Sequence, residues 1–169
     1  QNKYIPKEFK NKKFDSIFTS NLKRAIQSAN LVSSNNKIIS TNLLNEIDYG
    51  KIEGKDIKYL ESNFPNIVKN WKMKKDVSFP MGENYHDVEL RIKKFFKKNN
   101  TKIVNSNKTL IVTHNVIIRI ILGSAFLIPK YDWFKLNLQY FKIYDFIFLN
   151  GKLLPNVDRK ELKKIFKNV

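Results

Sequence analysis

The stretch Thr109-Leu110-Ile111-Val112-Thr113-His114-Asn115-Val116-Ile117-Ile118-Arg119 decides how this chain is read. Thr109 to Val112 are apolar or β-branched in succession, which predicts a strand covered on both faces. Val116, Ile117, Ile120 and Ile121 then recur at helical spacing. His114 is thereby delivered to the carboxyl end of a strand, at the first turn of a helix. In open α/β sheets that edge gathers helix amino-termini and strand-end side chains, and anions bind there. The arrangement points to a phosphate-type site.

Working back toward the amino-terminus, a second junction has the same layout. Phe14 to Thr19 predicts a short apolar strand and Ser20 to Ala29 a helix, with Ser20 as its N-cap and Leu22, Ala25, Ile26 and Ala29 as one apolar stripe. Arg24 lies off that stripe. Helical side chains lean toward the amino-terminus, so its guanidinium reaches the strand end, where planar donors hold a phosphate bidentately. Two such junctions in one sheet imply one shared pocket.

The rest of the chain supplies the frame. Lys37 to Ser40 is a strand candidate leading into a loop rich in acids, Leu44 to Gly54. A helix from about Lys55 carries Ile57, Leu60 and Phe64, Pro65 stops it, and an amphipathic piece from Ile67 to Trp71 follows. Val88, Ile92 and Phe95 mark the buried stripe of a later helix, which leaves His86 near its solvated start. Gln139 to Leu149 reads as a long strand, Asn150-Gly151 as a type I′ hairpin turn into Lys152-Leu153-Leu154, and Asp158 as the cap of a closing helix carrying Leu162, Ile165 and Phe166. Strands alternate with helices through most of the chain, so the fold class is α/β: a three-layer α/β/α sandwich around a mainly parallel sheet with an antiparallel edge. No repeat or linker divides it, and 169 residues with 42% hydrophobic content suffice for one domain with a core.

Composition narrows the chemistry. Cysteine is absent, which excludes disulfides and thiolate metal sites and suits a cytoplasmic protein. The two histidines are far apart and no carboxylate cluster has ligand spacing, so no metal and no cofactor are expected. The run Ile117 to Leu122 is too short to span a bilayer and contains Arg119, so no membrane partner is expected either. The formal charge of +17 raises a nucleic-acid reading, but 28 of the 32 basic residues are lysines dispersed along the whole chain, a solvated surface. Lys72, Lys74 and Lys75 beside Trp71 are one local concentration, read as a solvated loop or as a cap that attracts polyanionic substrates.

Four blocks in order then resemble the histidine phosphatase superfamily, the phosphoglycerate mutase-like fold, from about Phe14 to about Leu122. They are the helix motif Ser20 to Ala29, the acidic loop Leu44-Asn-Glu46-Ile-Asp-Tyr-Gly50-Lys-Ile-Glu53-Gly54, the segment Gly82-Glu83-Asn84, and Thr113-His114. Asn84 stands where the family has Ser and Asn115 where it has Gly. The resemblance implies Glu46 as the general acid, with Asp48 and Glu53 as competitors, and His114 as donor to the transferring phosphoryl oxygens. It also implies Arg24, His114 and Asn115 as phosphate ligands. Glu83, just after Gly82 and before a helix, is read from that position as a helix cap or as pocket support, and Arg91 and Arg119, mid-helix, receive no role.

The family opens with a strand ending in Arg-His-Gly, whose histidine is the nucleophile, and no such motif occurs between Gln1 and Phe14. His86, downstream of the acidic loop, does not replace it. Residues 1–169 are therefore expected to be the body of a single domain lacking its N-terminal strand and catalytic loop, with Gln1 to Lys10 as the tail of an element. The implied activity is phosphomonoester hydrolysis of a small phosphorylated metabolite through a phosphohistidine formed upstream of this chain. A mutase-type phosphotransferase and a non-catalytic phosphate-binding pseudoenzyme are the alternatives; only 27 residues separate Gly54 from Gly82, where phosphoglycerate mutases carry a longer insertion.

Overall fold

The computed structural model describes residues 9, 12–33, 37–73, 75–140 and 142–166. Its centre is a parallel sheet of three strands, β1 (Ser16–Ser20), β2 (Ile38–Thr41) and β3 (Thr109–Val112), in the order β2-β1-β3. Thr19 is level with Ser40 on one side and Val112 on the other, so all three strands end at the same edge. Every residue of β1 is buried, whereas all four of β3 are half-buried. The uniform apolar run Thr109–Val112 had predicted a strand covered on both faces. Helices do lie on both its faces, Lys23–Val32 on one and Tyr85–Val104 on the other, but it is the edge strand of the described sheet, with β1 on one side and no described strand on the other.

Helices cover both faces of the sheet, as expected. Phe18 meets Phe95 of α4 (Tyr85–Val104) edge to face, with ring centroids 5.2 Å apart. Strand alternation turns Ile17 to the opposite face, the side covered by the buried Ala25 and Ala29 of α1 (Lys23–Val32). Between β2 and α4 run a 3₁₀ turn at Asn42–Leu44, the acidic loop, α2 (Ile57–Asn63) and α3 (Pro65–Lys72). Pro65 does more than end α2: it occupies the first turn of α3, where its missing N–H costs nothing.

After β3 come α5 (Asn115–Ala125), a 3₁₀ segment at Lys130–Lys135, the hairpin β4 (Phe146–Leu149) and β5 (Lys152–Pro155), and α6 (Arg159–Ile165). The long strand expected from Gln139 is only the four residues of β4, and the hairpin forms a separate antiparallel sheet, not an edge of the parallel one. Its turn is as expected, with Asn150 and Gly151 both at positive φ. Phe148 of β4 nevertheless packs on the cluster of Phe18, Phe95 and Ile111, so the hairpin shares the face of α4 with β3 without pairing to it. Asp158 caps α6 by accepting from the Glu161 N–H at 2.7 Å, as its position predicted.

One contact in the second half is unusually close. Trp133 is buried, donates its indole N–H to the Ile128 carbonyl at 2.9 Å, and lies so near Gly123 of α5 that a Cβ there would run into the indole ring. The expected tail from Gln1 to Lys10 lies, Phe9 apart, outside the described residues.

Candidate active site

At the carboxyl edge of the sheet, β1 and β3 hand the chain to α1 and α5. Ser20 does not cap α1 directly, since the helix begins at Lys23; its hydroxyl accepts from the Leu22 N–H at 3.1 Å and donates to the Asn45 Oδ1 at 2.8 Å. Asn45 Oδ1 also accepts from the Asn21 N–H, which ties the acidic loop to this junction. At the other junction Thr113 donates to the Leu44 carbonyl at 2.7 Å, fixing the same loop to β3. Thus both strand ends grip the residues next to Glu46.

Glu46 is held where helix α5 begins. Its carboxylate accepts from the Val116 N–H at 3.2 Å and from its own neighbour Ile47 at 3.2 Å, supplying an acceptor that the helix's first turn lacks. Burial pushes its carboxyl above the usual carboxylate range; those two N–H bonds and the Arg24 charge pull the other way and are outweighed. The competitors are placed differently. Asp48 is exposed, its carboxylate accepting from the Gly50 N–H at 2.7 Å, and Glu53 is exposed.

His114 occupies the N-cap position of α5 but makes no side-chain capping bond. It is 8% exposed, and its Nε2 is buried with no hydrogen-bond partner among the described residues. Burial, then the charges of Arg24 and Arg91, hold its pKa down to about 4, so the ring is neutral at pH 7. Thr19 Oγ1, at the end of β1, is likewise buried and unpartnered. Arg24 is exposed in the first turn of α1, close enough to act on both Glu46 and His114. Arg24, Glu46 and His114 therefore share one edge, as their sequence positions predicted.

Asn115 is exposed, and its Oδ1 accepts from Arg119 Nε at 2.6 Å, which aims it along α5. Arg119 also donates through Nη1 to the carbonyls of Trp133, Phe134 and Leu136, closing the end of the 3₁₀ segment. Tyr49 and Tyr85 lie within electrostatic reach of Glu46 and Arg119, and burial pushes both phenols up, Tyr49 to about 12. His86 is exposed in the first turn of α4, its N–H donating to Asp76, the peripheral place expected for it. Lys72 pairs with Glu61 across α2 and α3 at 2.9 Å, Trp71 packs edge-on against Phe79, and Lys74 lies outside the described residues.

The pair missed from the sequence is Glu83 and Arg91. Arg91 Nε lies 2.7 Å from Glu83 Oε1 and Nη2 lies 2.9 Å from Oε2, a two-point ion pair, while Nη1 and Nη2 donate to the Leu43 and Glu46 carbonyls. Glu83 is not the helix cap: Asn84 is, in a reciprocal capping box with Asp87. A signal was present. Arg91 stands three residues after Val88 and four before Phe95, beside the buried stripe of α4, where a solvent-facing arginine has no place.

With this geometry in hand, the comparisons agree on a class. The description "Histidine phosphatase superfamily (branch 1)" matches residues 1–155, and the chain belongs to that superfamily. Among curated proteins, the mitochondrial serine/threonine-protein phosphatase Pgam5 of Drosophila mojavensis is 27% identical over 135 residues, 78% of this chain and 42% of its own length. The chain thus spans less than half of that relative. Among solved structures, Bacillus stearothermophilus YhfR aligns with a TM-score of 0.76 at 20% identity, covering 90% of this chain and 77% of that one. The alpha-ribazole phosphatase of Shigella flexneri aligns at 0.75 and 18%, covering 88% and 74%. A phosphoserine phosphatase mutant from Entamoeba histolytica, in complex with phosphoserine, aligns at 0.70 and 20%, covering 85% and 73%. These structural likenesses are of fold. Among the described residues no helix is long and apolar enough to cross a membrane.

Proposed function

We propose that the chain is the body of a phosphomonoester hydrolase that works through a phosphohistidine, acting on a small phosphorylated metabolite in the cytoplasm, with the nucleophilic histidine on a strand upstream of residue 1. One observation carries the reading: a half-buried carboxyl, Glu46, biased toward its protonated form, stands beside a neutral, unpartnered His114 and the Arg24 charge at one sheet edge. In the first step a histidine nitrogen bonds to phosphorus, the ester P–O bond breaks, and the leaving oxygen takes the proton of Glu46. In the second, water attacks phosphorus, gives its proton to the Glu46 carboxylate, and the P–N bond breaks. Arg24, His114 and Asn115 bind the phosphoryl oxygens and offset their charge. Among the described residues the outer edge of β3 is unpaired, beside a hairpin that packs on the same helix, which supports room for the upstream strand.

The test separates leaving groups. In the full-length protein, Glu46→Gln should lower turnover of an alkyl phosphate by roughly 10²-fold or more, because an alkoxide needs protonation. The kcat/KM for p-nitrophenyl phosphate, which covers only the first step and whose leaving group needs no proton, should fall far less, the water step that also uses Glu46 being common to both esters. Residues 1–169 alone should retain roughly 10³-fold less activity than the full-length protein. Equal losses of kcat/KM on both esters would remove Glu46 as proton donor to the leaving group, and equal activity of the two chains would refute the upstream nucleophile.

A further inference from the structure

The acidic loop carries Glu46 but has little regular structure of its own, so something must fix the carboxyl at the start of α5. Four of the bonds that could do so converge on Glu83 and Arg91. Arg91 donates to the carbonyls of Leu43, at 3.0 Å, and Glu46, at 3.2 Å; Glu83 Oε2 accepts from the Asp48 N–H at 3.1 Å, and the Glu83 N–H donates to the Asp48 carbonyl at 2.8 Å. The backbone is thus held on both sides of the Glu46 side chain. The pair is largely shielded, with side chains 15% and 25% exposed, and its two-point geometry makes it a rigid support rather than a loose surface pair. Behind it the chain crosses itself at two glycines: a Cβ on Gly82 would meet the Asp48 carbonyl oxygen, and one on Gly50 the Pro80 carbonyl oxygen. The loop is therefore pressed directly on the segment that bears Glu83.

We propose that Glu83 and Arg91 are positioning residues that latch the acidic loop onto α4 and so keep the half-buried Glu46 carboxyl at the amino-terminus of α5. The inference rests on the proposed role of Glu46 as proton donor. Arg91 acts through the backbone, since its guanidinium meets the Glu46 carbonyl rather than the carboxylate. The charged and titratable groups facing that carboxyl come from elsewhere: Arg24 of α1, His114, Tyr49 of the same loop, Tyr85 of α4 and Arg119 of α5. A lysine at position 91 keeps the charge but cannot bridge one carboxylate and two carbonyls at once.

The experiment follows the Glu46 carboxyl by ¹³C NMR through a pH titration of the full-length protein, with Glu46→Gln to assign its signal. Arg91→Lys and Glu83→Gln should each move the midpoint of Glu46 down toward that of an ordinary glutamate, because a released loop lets water reach the carboxyl. Phe126→Leu, which removes a ring contact with Phe166 far from the loop, should lower the melting temperature and leave that midpoint in place. In the full-length enzyme both latch variants should lower kcat on an alkyl phosphate roughly 10-fold or more, with KM little changed, and leave kcat/KM for p-nitrophenyl phosphate, which needs no proton donor, largely intact. An unmoved Glu46 midpoint in either folded variant overturns the latch. Failure of the Glu46 assignment would show separately, as equal losses of kcat/KM on both esters in Glu46→Gln while the midpoint shifts persist.

Discussion

The two strand-to-helix junctions are built alike and finished differently. At the end of β1, Ser20 spends its hydroxyl on Asn45 and on the Leu22 N–H, so the turn is tied off. At the end of β3, His114 takes the cap position without capping, its Nε2 stays unpartnered, and the Val116 N–H is left for a carboxylate from another loop. Buried polar atoms are nearly always paired in folded proteins, so an unpaired one at the edge where the proposed function places the phosphate is informative. The first junction ties the acidic loop down through Ser20 and leaves only the Thr19 hydroxyl unpartnered; the second leaves the His114 ring nitrogen unpartnered, the group that the proposed function assigns to the phosphoryl oxygens.

The largest expected effect that could break this contrast is on anion binding. His114→Gln should weaken the binding of inorganic phosphate to residues 1–169 by roughly 10- to 100-fold, the worth of a hydrogen bond to a charged group. Ser20→Ala should leave the dissociation constant close to that of the parent; calorimetric titration of all three proteins decides it. If Ser20→Ala weakens binding as much as His114→Gln, the division of labour between the junctions is wrong.

An effect of comparable size sharpens the comparison through pH. The folded pKa of His114, about 4, lies below the 6.5 of a free imidazole, so between those values the unfolded chain binds the extra proton and folding weakens as pH falls. Glu46 has the opposite sign: its folded pKa is raised, so its contribution is present at low pH and is lost as pH climbs through that raised value. Comparing each variant with the parent isolates one group. His114→Gln should gain on the parent by roughly 2–3 kcal/mol between pH 7 and pH 4, measured by chemical denaturation. A difference that stays flat across this range would mean that His114 is not held neutral.

The smallest effect belongs to the tied-off junction. Ser20→Ala leaves the Leu22 N–H without its acceptor and should cost about 1–2 kcal/mol at every pH in that range. A pH-dependent loss would show that Ser20 is coupled to the titrating groups.

What the sequence disclosed follows from these same junctions. Apolar runs breaking into helical spacing locate His114 and Arg24, because local periodicity determines where a strand ends and which side of a helix is wet. Periodicity does not report pairing partners. It could not reveal that β3 is an edge strand, that β4 is four residues long, or that the hairpin stands apart from the parallel sheet. Nor does it follow a long side chain across space: Arg91 touches Leu43 and Glu46 over more than forty positions of sequence, and only its place beside the stripe of Val88, Ile92 and Phe95 hinted that it points inward. Glu46 was legible through the resemblance of its loop, whereas its capping of α5 was not.

Gly123 and Trp133 carry an evolutionary consequence. With the indole seated where a Cβ would lie, any side chain at 123 overpacks the contact, at about 1–3 kcal/mol, while shrinking Trp133 first opens a void that costs about 3–5 kcal/mol for truncation to alanine. Each single step is downhill in stability, and only the paired change restores packing. Lineages descending from this sequence should therefore either retain both residues or have exchanged both, with a glycine at 123 persisting wherever a tryptophan remains at 133.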